Sequence, residues 1–351
     1  MDMKIPSVLK KFALFISIFL LGINPVLAET DVAYFPSATS TADFFQTTTT
    51  AEAIPATTEA PVESTRPLVS EPTIRVGLYK TSETVKFKSE FPYEVWVGGV
   101  SRGIIAPEDV AQISYKQGLY TLKSESVEFG SSDYFRLVPS DPSNFFVLTN
   151  YNRPVAGRAK INFNVYRGTL EYRYSPKSKL PFIINELPLD LYVKGIAETH
   201  DSAPTEYIKA LSVAARSYAY ALISKNPPTE KRMFHVYATT ADQLYLGYNS
   251  ELYMPKFVEA AMATAGELVT YKSNPVITFY FSRSNGSTKN GGKDRPWLKS
   301  VVAKYDKGKK MLGHGIGMSN SDAQQRALKD NWSYKEILEH YYTSTTVEKV
   351  F

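Results

Sequence analysis

Residues 204–222, PTEYIKALSVAARSYAYAL, constrain the fold more than any other stretch of this chain. Tyr207, Leu211, Ala214, Tyr218 and Leu222 recur at steps of three and four, which is one apolar stripe of an α-helix. Ala210, Ala214, Ala215 and Ala219 keep much of the remaining surface small, so neighbouring backbones approach closely. Such a helix is central and buried. Arg216 sits within it, where an unpaired charge is expensive, so it demands a partner or a pocket. Asp201 or Ser202 is placed to cap the helix, and Pro204 falls in the first turn, where its missing N–H costs nothing.

Glu198 lies on the elbow before this helix, just past a short helix beginning near Pro188. A carboxylate at a helix C-terminus faces the negative end of the dipole, which favours its protonated form. That suits a general acid. The ordinary alternative is a solvated loop glutamate.

The rest of the chain divides by composition. Residues 1–28 read as an export signal, with Lys4, Lys10 and Lys11, an apolar run from Phe12 to Ile23, and Val26-Leu27-Ala28 as a small-residue cleavage site. The run is short for a bilayer span, so membrane contact is expected only if the segment stays uncleaved. Residues 29–72 are rich in Thr, Ala, Pro and Glu and read as a disordered linker or stalk. The expected location is extracytoplasmic and associated with the cell wall. Residues 73–351 carry 36 Lys and Arg against 27 Asp and Glu, a net +9 that suits anionic wall polymers or acidic glycans and equally serves general solubility. The export signal and the lack of a contiguous basic run disfavour nucleic acid.

From Thr73 to about Leu170, short alternating runs such as IRVGLY, YEVWVGG and FFVLTNY are punctuated by Gly, Pro, Ser and Asn. The chain therefore reads as α+β. A β-rich N-terminal sheet unit (73–175) precedes a mixed α/β catalytic-type core (176–351) built on the central buried helix. Downstream, Pro255 to Ala265 predicts a helix ended by Gly266, and 267–282 a hairpin turning at Ser273-Asn274-Pro275. Ser321 with Gln324, and Ser333 with Glu336, have capping-box spacing.

Three separated motifs now resemble one family, in order. GIAETHDSAPTEYIKALSVAARSYAYAL, the loop FHVYATTADQLYLGY and the glycine-rich GHGIGMSNSDAQQRAL resemble the stage II sporulation protein D / amidase enhancer (LytB-type) domain family. The resemblance runs over roughly residues 73–351. It puts Glu198 where the family's enzymes carry their catalytic glutamate, and it implies substrate-binding places for Arg216, Gln243, Tyr245, Ser282, Ser284, Asn285, His314, Gly315 and Ser319. Asn285, Asn320 and Asp322 depart from the family pattern. Some relatives carry a cysteine/histidine zinc cluster, but this chain has no cysteine and keeps only His235 there, so neither metal nor cofactor is carried across.

Other chemistries find no support. GMSNS lacks the closing glycine of a nucleophile elbow, no H-E-x-x-H occurs, and no phosphate-cradling glycine loop is present. One carboxylate falls short of what an ordinary glycosidase needs, which is two. It is enough for a lytic transglycosylase, whose acid protonates the glycosidic oxygen and then takes a proton from the muramyl 6-hydroxyl. The resemblance implies that reaction on peptidoglycan glycan strands stripped of peptides. The competing expectation is a non-catalytic peptidoglycan-binding module that stimulates a partner cell-wall amidase.

Overall fold

The computed structural model describes residues 67–158 and 161–351. The export-signal reading, and the linker reading over residues 29–66, lie outside them. Twelve strands come first: β1 (Thr73–Lys80), β2 (Val85–Lys88), β3 (Tyr93–Val97), β4 (Val100–Ile105), β5 (Ala111–Lys116), β6 (Leu119–Lys123), β7 (Glu128–Ser131), β8 (Phe135–Pro139), β9 (Phe145–Leu148), β10 (Val165–Arg167), β11 (Thr169–Ser175) and β12 (Leu180–Pro188). Then follow α1 (Leu189–Lys194), α2 (Thr205–Lys225), β13 (Val236–Tyr237), α3 (Tyr248–Tyr253), α4 (Pro255–Ala263), β14 (Glu267–Tyr271) and β15 (Asn274–Pro275). The chain closes with β16 (Tyr280–Phe281), β17 (Met318–Ser319), α5 (Asn320–Lys329), α6 (Tyr334–Tyr341) and β18 (Thr346–Lys349). The fold is α+β.

Two sheets carry the strand-rich half. One has the order β13-β1-β12-β11-β8-β3-β4 and the other β10-β9-β2-β5-β6-β7. Alternation along β3 and β8 turns Tyr93, Val95, Phe135 and Leu137 inward. There Tyr93 meets Phe146 of the second sheet edge to face at 4.8 Å, and Phe135 meets Tyr120 at 6.1 Å. The first sheet runs across residue 175, because β12 pairs with both β11 and β1. It therefore delivers the chain directly into α1.

Helix α2 is buried along most of its length, with Ala210, Ala214, Ala215 and Ala219 fully covered. It packs on α1, α4, α6 and β14, and the alanines permit that approach from several sides. Its start differs from expectation. Pro204 stands at the N-cap position with no side-chain cap. Asp201 instead accepts the Phe257 N–H at 3.1 Å in the first turn of α4. A neighbouring helix competes for the same carboxylate, which sequence spacing does not reveal.

The Ser333/Glu336 capping box forms as expected. The Ser321/Gln324 box does not: α5 begins at Asn320, and the Ser321 N–H donates to Ser282 O at 3.0 Å. The hairpin of β14 and β15 turns over Lys272 and Ser273, both with positive φ. Its continuation leaves that sheet, and β16 pairs in parallel with β17.

A buried ion network lies across β1, β8, β11 and β12. Arg75 and Arg136 each pair with Glu171 and Glu186, and Glu171 is fully buried. Beside it, His235 Nδ1 accepts the Arg75 backbone N–H at 2.9 Å. Burial, then the Arg75 charge, lower the His235 pKa to about 4 from 6.5. Between those values the unfolded chain holds the proton and the folded chain does not. Stability is thus full above pH 6.5 and is lost as pH falls towards 4. The whole window is worth roughly 3 kcal/mol at 1.36 kcal/mol per pH unit. His235→Gln, which keeps an acceptor for Arg75, is expected to flatten the slope of Tm against pH there; an unchanged slope would remove His235 as its cause.

Candidate active site

Glu198 is positioned by backbone pairing. After α1, the Gly195 N–H closes onto Tyr192 O, and the chain then runs antiparallel to residues 244–246. The Ala197 N–H donates to Leu244 O, and the Leu246 N–H to Gly195 O, both at 2.9 Å. A side chain at Gly195 would meet the Tyr245 ring 2.4 Å away, so the approach requires glycine. This stitching brings the Leu244 N–H within 3.0 Å of Glu198 Oε1. Oε2 is buried and makes no hydrogen bond among the described residues.

Burial pushes the Glu198 carboxyl above the ordinary carboxylate range; the adjacent Tyr280 hydroxyl and the Leu244 N–H pull it back by less. Desolvation thus favours the protonated form.

A relay of three side chains stands behind this carboxylate. The Tyr192 hydroxyl donates to Gln243 Oε1 at 2.8 Å, while Gln243 Nε2 donates to Ala215 O at 3.2 Å and to the Tyr280 hydroxyl at 2.9 Å. The Ala215 carbonyl can only accept, so it fixes which end of the amide is nitrogen. The Tyr280 oxygen therefore accepts a hydrogen bond from Gln243, and its own O–H lies close enough to the Glu198 carboxyl to lower that group's pKa.

Glu198 opens on a cavity of about 760 Å³, within the usual range for small-ligand sites. Of the residues expected in the site, Gln243, Ser282 and His314 also line it. The His314 Nδ1 accepts the Ile316 N–H at 3.0 Å, which leaves the neutral ring with its proton on Nε2. Burial lowers the His314 pKa, and the Lys289 charge adds to this.

The other expected residues lie elsewhere. Arg216 is fully buried against α1 and α4, its Nε donating to Asp190 Oδ1 at 2.5 Å and its Nη2 to Ala261 O at 2.9 Å. Tyr245 is buried and does not line the cavity, donating to Asn185 and stacking on Tyr192. Ser284 and Ser319 are also buried, both donating to Asp306 Oδ2. Burial raises the Asp306 carboxyl, but the hydrogen bonds of Ser319, Ser321 and Ser284 outweigh it and hold the group below the usual range. Asp306 thus braces the two loops from behind. Asn285 is exposed and Gly315 buried, and neither lines the cavity.

Sequence reasoning missed Tyr280, Tyr218, Asp242 and His200, all of which line the cavity. Tyr218 lies two residues beyond Arg216, and its hydroxyl donates to Asp242 Oδ1 at 2.9 Å; the Tyr237 N–H occupies Oδ2 at 2.8 Å. The helical stripe marked Tyr218 for packing, not for a site. No group of three or more His, Cys, Asp or Glu placed to hold a metal occurs among the described residues.

The profile of the SpoIID family, described as Stage II sporulation protein, matches residues 179–271. Over these residues the chain is similar to the SpoIID family. Stage II sporulation protein D of Bacillus subtilis (strain 168) is 31% identical over 140 residues, covering 35% of this chain and 41% of that protein. Stage II sporulation protein D of Bacillus amyloliquefaciens is 30% identical over 143 residues, with the same two shares. An uncharacterized protein of Brachyspira hyodysenteriae (strain ATCC 49526 / WA1) is 34% identical over 131 residues, 36% of this chain and 34% of its own length. The match thus spans about two fifths of the Bacillus proteins. The SpoIID segment holds Glu198, Asp242 and Gln243, whereas Tyr280, Ser282 and His314 come from beyond it and complete the cavity.

Proposed function

We propose that this chain is an exported peptidoglycan-remodelling enzyme, a lytic transglycosylase that cleaves peptide-stripped glycan strands to 1,6-anhydro products. The likeness of residues 179–271 to the SpoIID family supports the coarser part, a role connected with the cell wall and sporulation. The observation that carries the finer part is the inequality of the two cavity carboxylates. Asp242 has both oxygens engaged, whereas Glu198 has a free, buried Oε2 and an environment that favours the proton. One usable carboxyl group suits a reaction whose nucleophile is supplied by the substrate.

In the first half, Glu198 gives its proton to the glycosidic oxygen as the bond from the muramyl C1 to that oxygen breaks. In the second, the carboxylate takes the proton of the muramyl 6-hydroxyl as O6 bonds to C1, so the acid is restored and no water is consumed. The Tyr280 O–H steadies the carboxylate between the two steps, and Gln243 holds Tyr280 in place. The direct test incubates the mature protein with peptide-stripped glycan strands and seeks anhydro-muramyl ends by mass spectrometry. Their absence, with acceleration of an added amidase, would replace this reading by the enhancer one.

The relay yields a pH prediction. Activity requires protonated Glu198, so it falls as pH rises through that group's pKa. Tyr280→Phe removes a donor that favours the carboxylate, and the alkaline limb of kcat/KM is expected to move to higher pH. A limb that stays in place would separate Tyr280 from the acid.

A further inference from the structure

We propose that residues 283–310 form a binding surface for a linear polyanion, one carrying repeated carboxylate or phosphodiester groups, beside the Glu198 cavity. The segment folds back on itself as a hydrogen-bonded arm. Arg283 and Leu312 exchange N–H···O bonds of 3.1 and 2.8 Å, the Ala303 N–H reaches Gly286 O at 2.9 Å, and the Gly291 N–H reaches Leu298 O at 2.7 Å. Lys289 then donates its N–H to Gly315 O at 2.7 Å. That bond ties the arm to the glycine loop whose Gly313 and His314 line the cavity.

The charge of the folded chain is concentrated here. The arm holds nine Lys and Arg against Asp294 and Asp306, a net +7, which leaves only +2 for the rest of residues 73–351. The cations recur every few residues, so no contiguous basic run announces them in the sequence. Lys304 is paired with Asp330, and Lys309 approaches the buried Asp306 at 3.5 Å. Lys289, Lys293, Lys299, Lys307 and Lys310 are exposed, with no carboxylate partner in any ion pair among the described residues.

Five separate exposed ammonium groups on one arm do not enclose a site, and each alone attracts an anion weakly through water. A polymer with repeated anionic groups engages several at once and releases their counterions together, which a single small anion does not. The arm's two large aromatic rings are half-buried, and Trp297 Nε1 is committed to Ile277 O at 2.8 Å. It therefore lacks the splayed stacking platform that single-stranded nucleic acid uses.

The test reads binding, without turnover, so it stands apart from the transglycosylase reading. Wild type and the variant Lys293→Gln, Lys299→Gln, Lys307→Gln, Lys310→Gln are sedimented with two wall preparations. One is stripped of peptides and phosphodiester polymers, leaving carboxylates; the other keeps its phosphodiester polymers. Wild-type affinity for at least one is expected to fall about tenfold or more between about 50 and 200 mM salt, and the variant to bind about tenfold more weakly at low salt. The preparation that shows the loss identifies the anionic group. The variant should keep the wild-type Tm, since none of the four side chains makes an ion pair among the described residues. Binding within about twofold of wild type on both preparations, or equally tight binding of a short single-stranded DNA, would overturn the assignment.

Discussion

Glu198→Gln is expected to abolish anhydro-muramyl products while the protein stays folded and still sediments with glycan. The substitution keeps the side-chain shape and the acceptor for the Leu244 N–H, and it removes the titrating proton. General acid–base groups contribute about 10²–10⁴-fold, so the loss should reach at least that range. A second readout separates chemistry from damage. In the folded chain the carboxyl pKa is raised by burial, so between its unfolded and folded values the folded state binds the proton and the unfolded state does not. Stability from this group is therefore present at low pH and is lost as pH rises through the folded pKa. At neutral pH, above the unfolded value, the raised pKa costs stability whichever form the folded chain holds, and the amide does not share that cost. Glu198→Gln should accordingly melt at or above the wild-type temperature near pH 7. Turnover near the wild-type rate would refute the assignment of the acid, and a lower Tm would refute the account of its burial.

Arg216→Ala is expected to act on stability and not on glycan binding. The guanidinium is fully buried and joins three elements: Asp190 at the start of α1, the Ala261 carbonyl of α4 and the Glu267 carbonyl of β14. Removing one side of a buried pair leaves uncompensated polar groups and costs about 3–5 kcal/mol, to which the vacated volume adds. For a domain of this size that corresponds to a fall in Tm on the order of 10 °C. Below its own melting point, the variant should sediment with glycan as wild type does. Weakened binding with an unchanged Tm would show that Arg216 reaches the ligand after all.

The two predictions divide along the line between what local sequence carries and what tertiary structure decides. Periodicity made the α2 helix and its burial legible, because a stripe of Tyr and Leu flanked by alanines has few other uses. Alternation revealed the strands of the first half, and the Ser333/Glu336 box is a local motif that forms wherever its helix does. Burial of Arg216 followed from the same stripe, but not its partner, since Asp190 lies 26 residues away and is brought back by the α1 turn.

The site was legible only in its ingredients. Glu198, Gln243, Ser282 and His314 stand in motifs and meet in one cavity; Ser284 and Ser319 stand in the same motifs and face the other way, onto Asp306. A loop of glycines and serines has no fixed period, so its sequence does not say which hydroxyl faces the ligand. At Gly317, φ is +77° and a Cβ would lie 1.9 Å from Phe279 O, so the backbone itself sets which side chains turn inward. Tyr280 became visible beside Glu198 only once β16 paired with β17, 38 residues away. The sequence by itself determined the α+β class, the buried helix and the carboxylate on its elbow, because periodicity and composition act over a few turns of chain. Tertiary structure alone decided which polar groups share the cavity with that carboxylate, because long-range pairing selects them and leaves no local pattern.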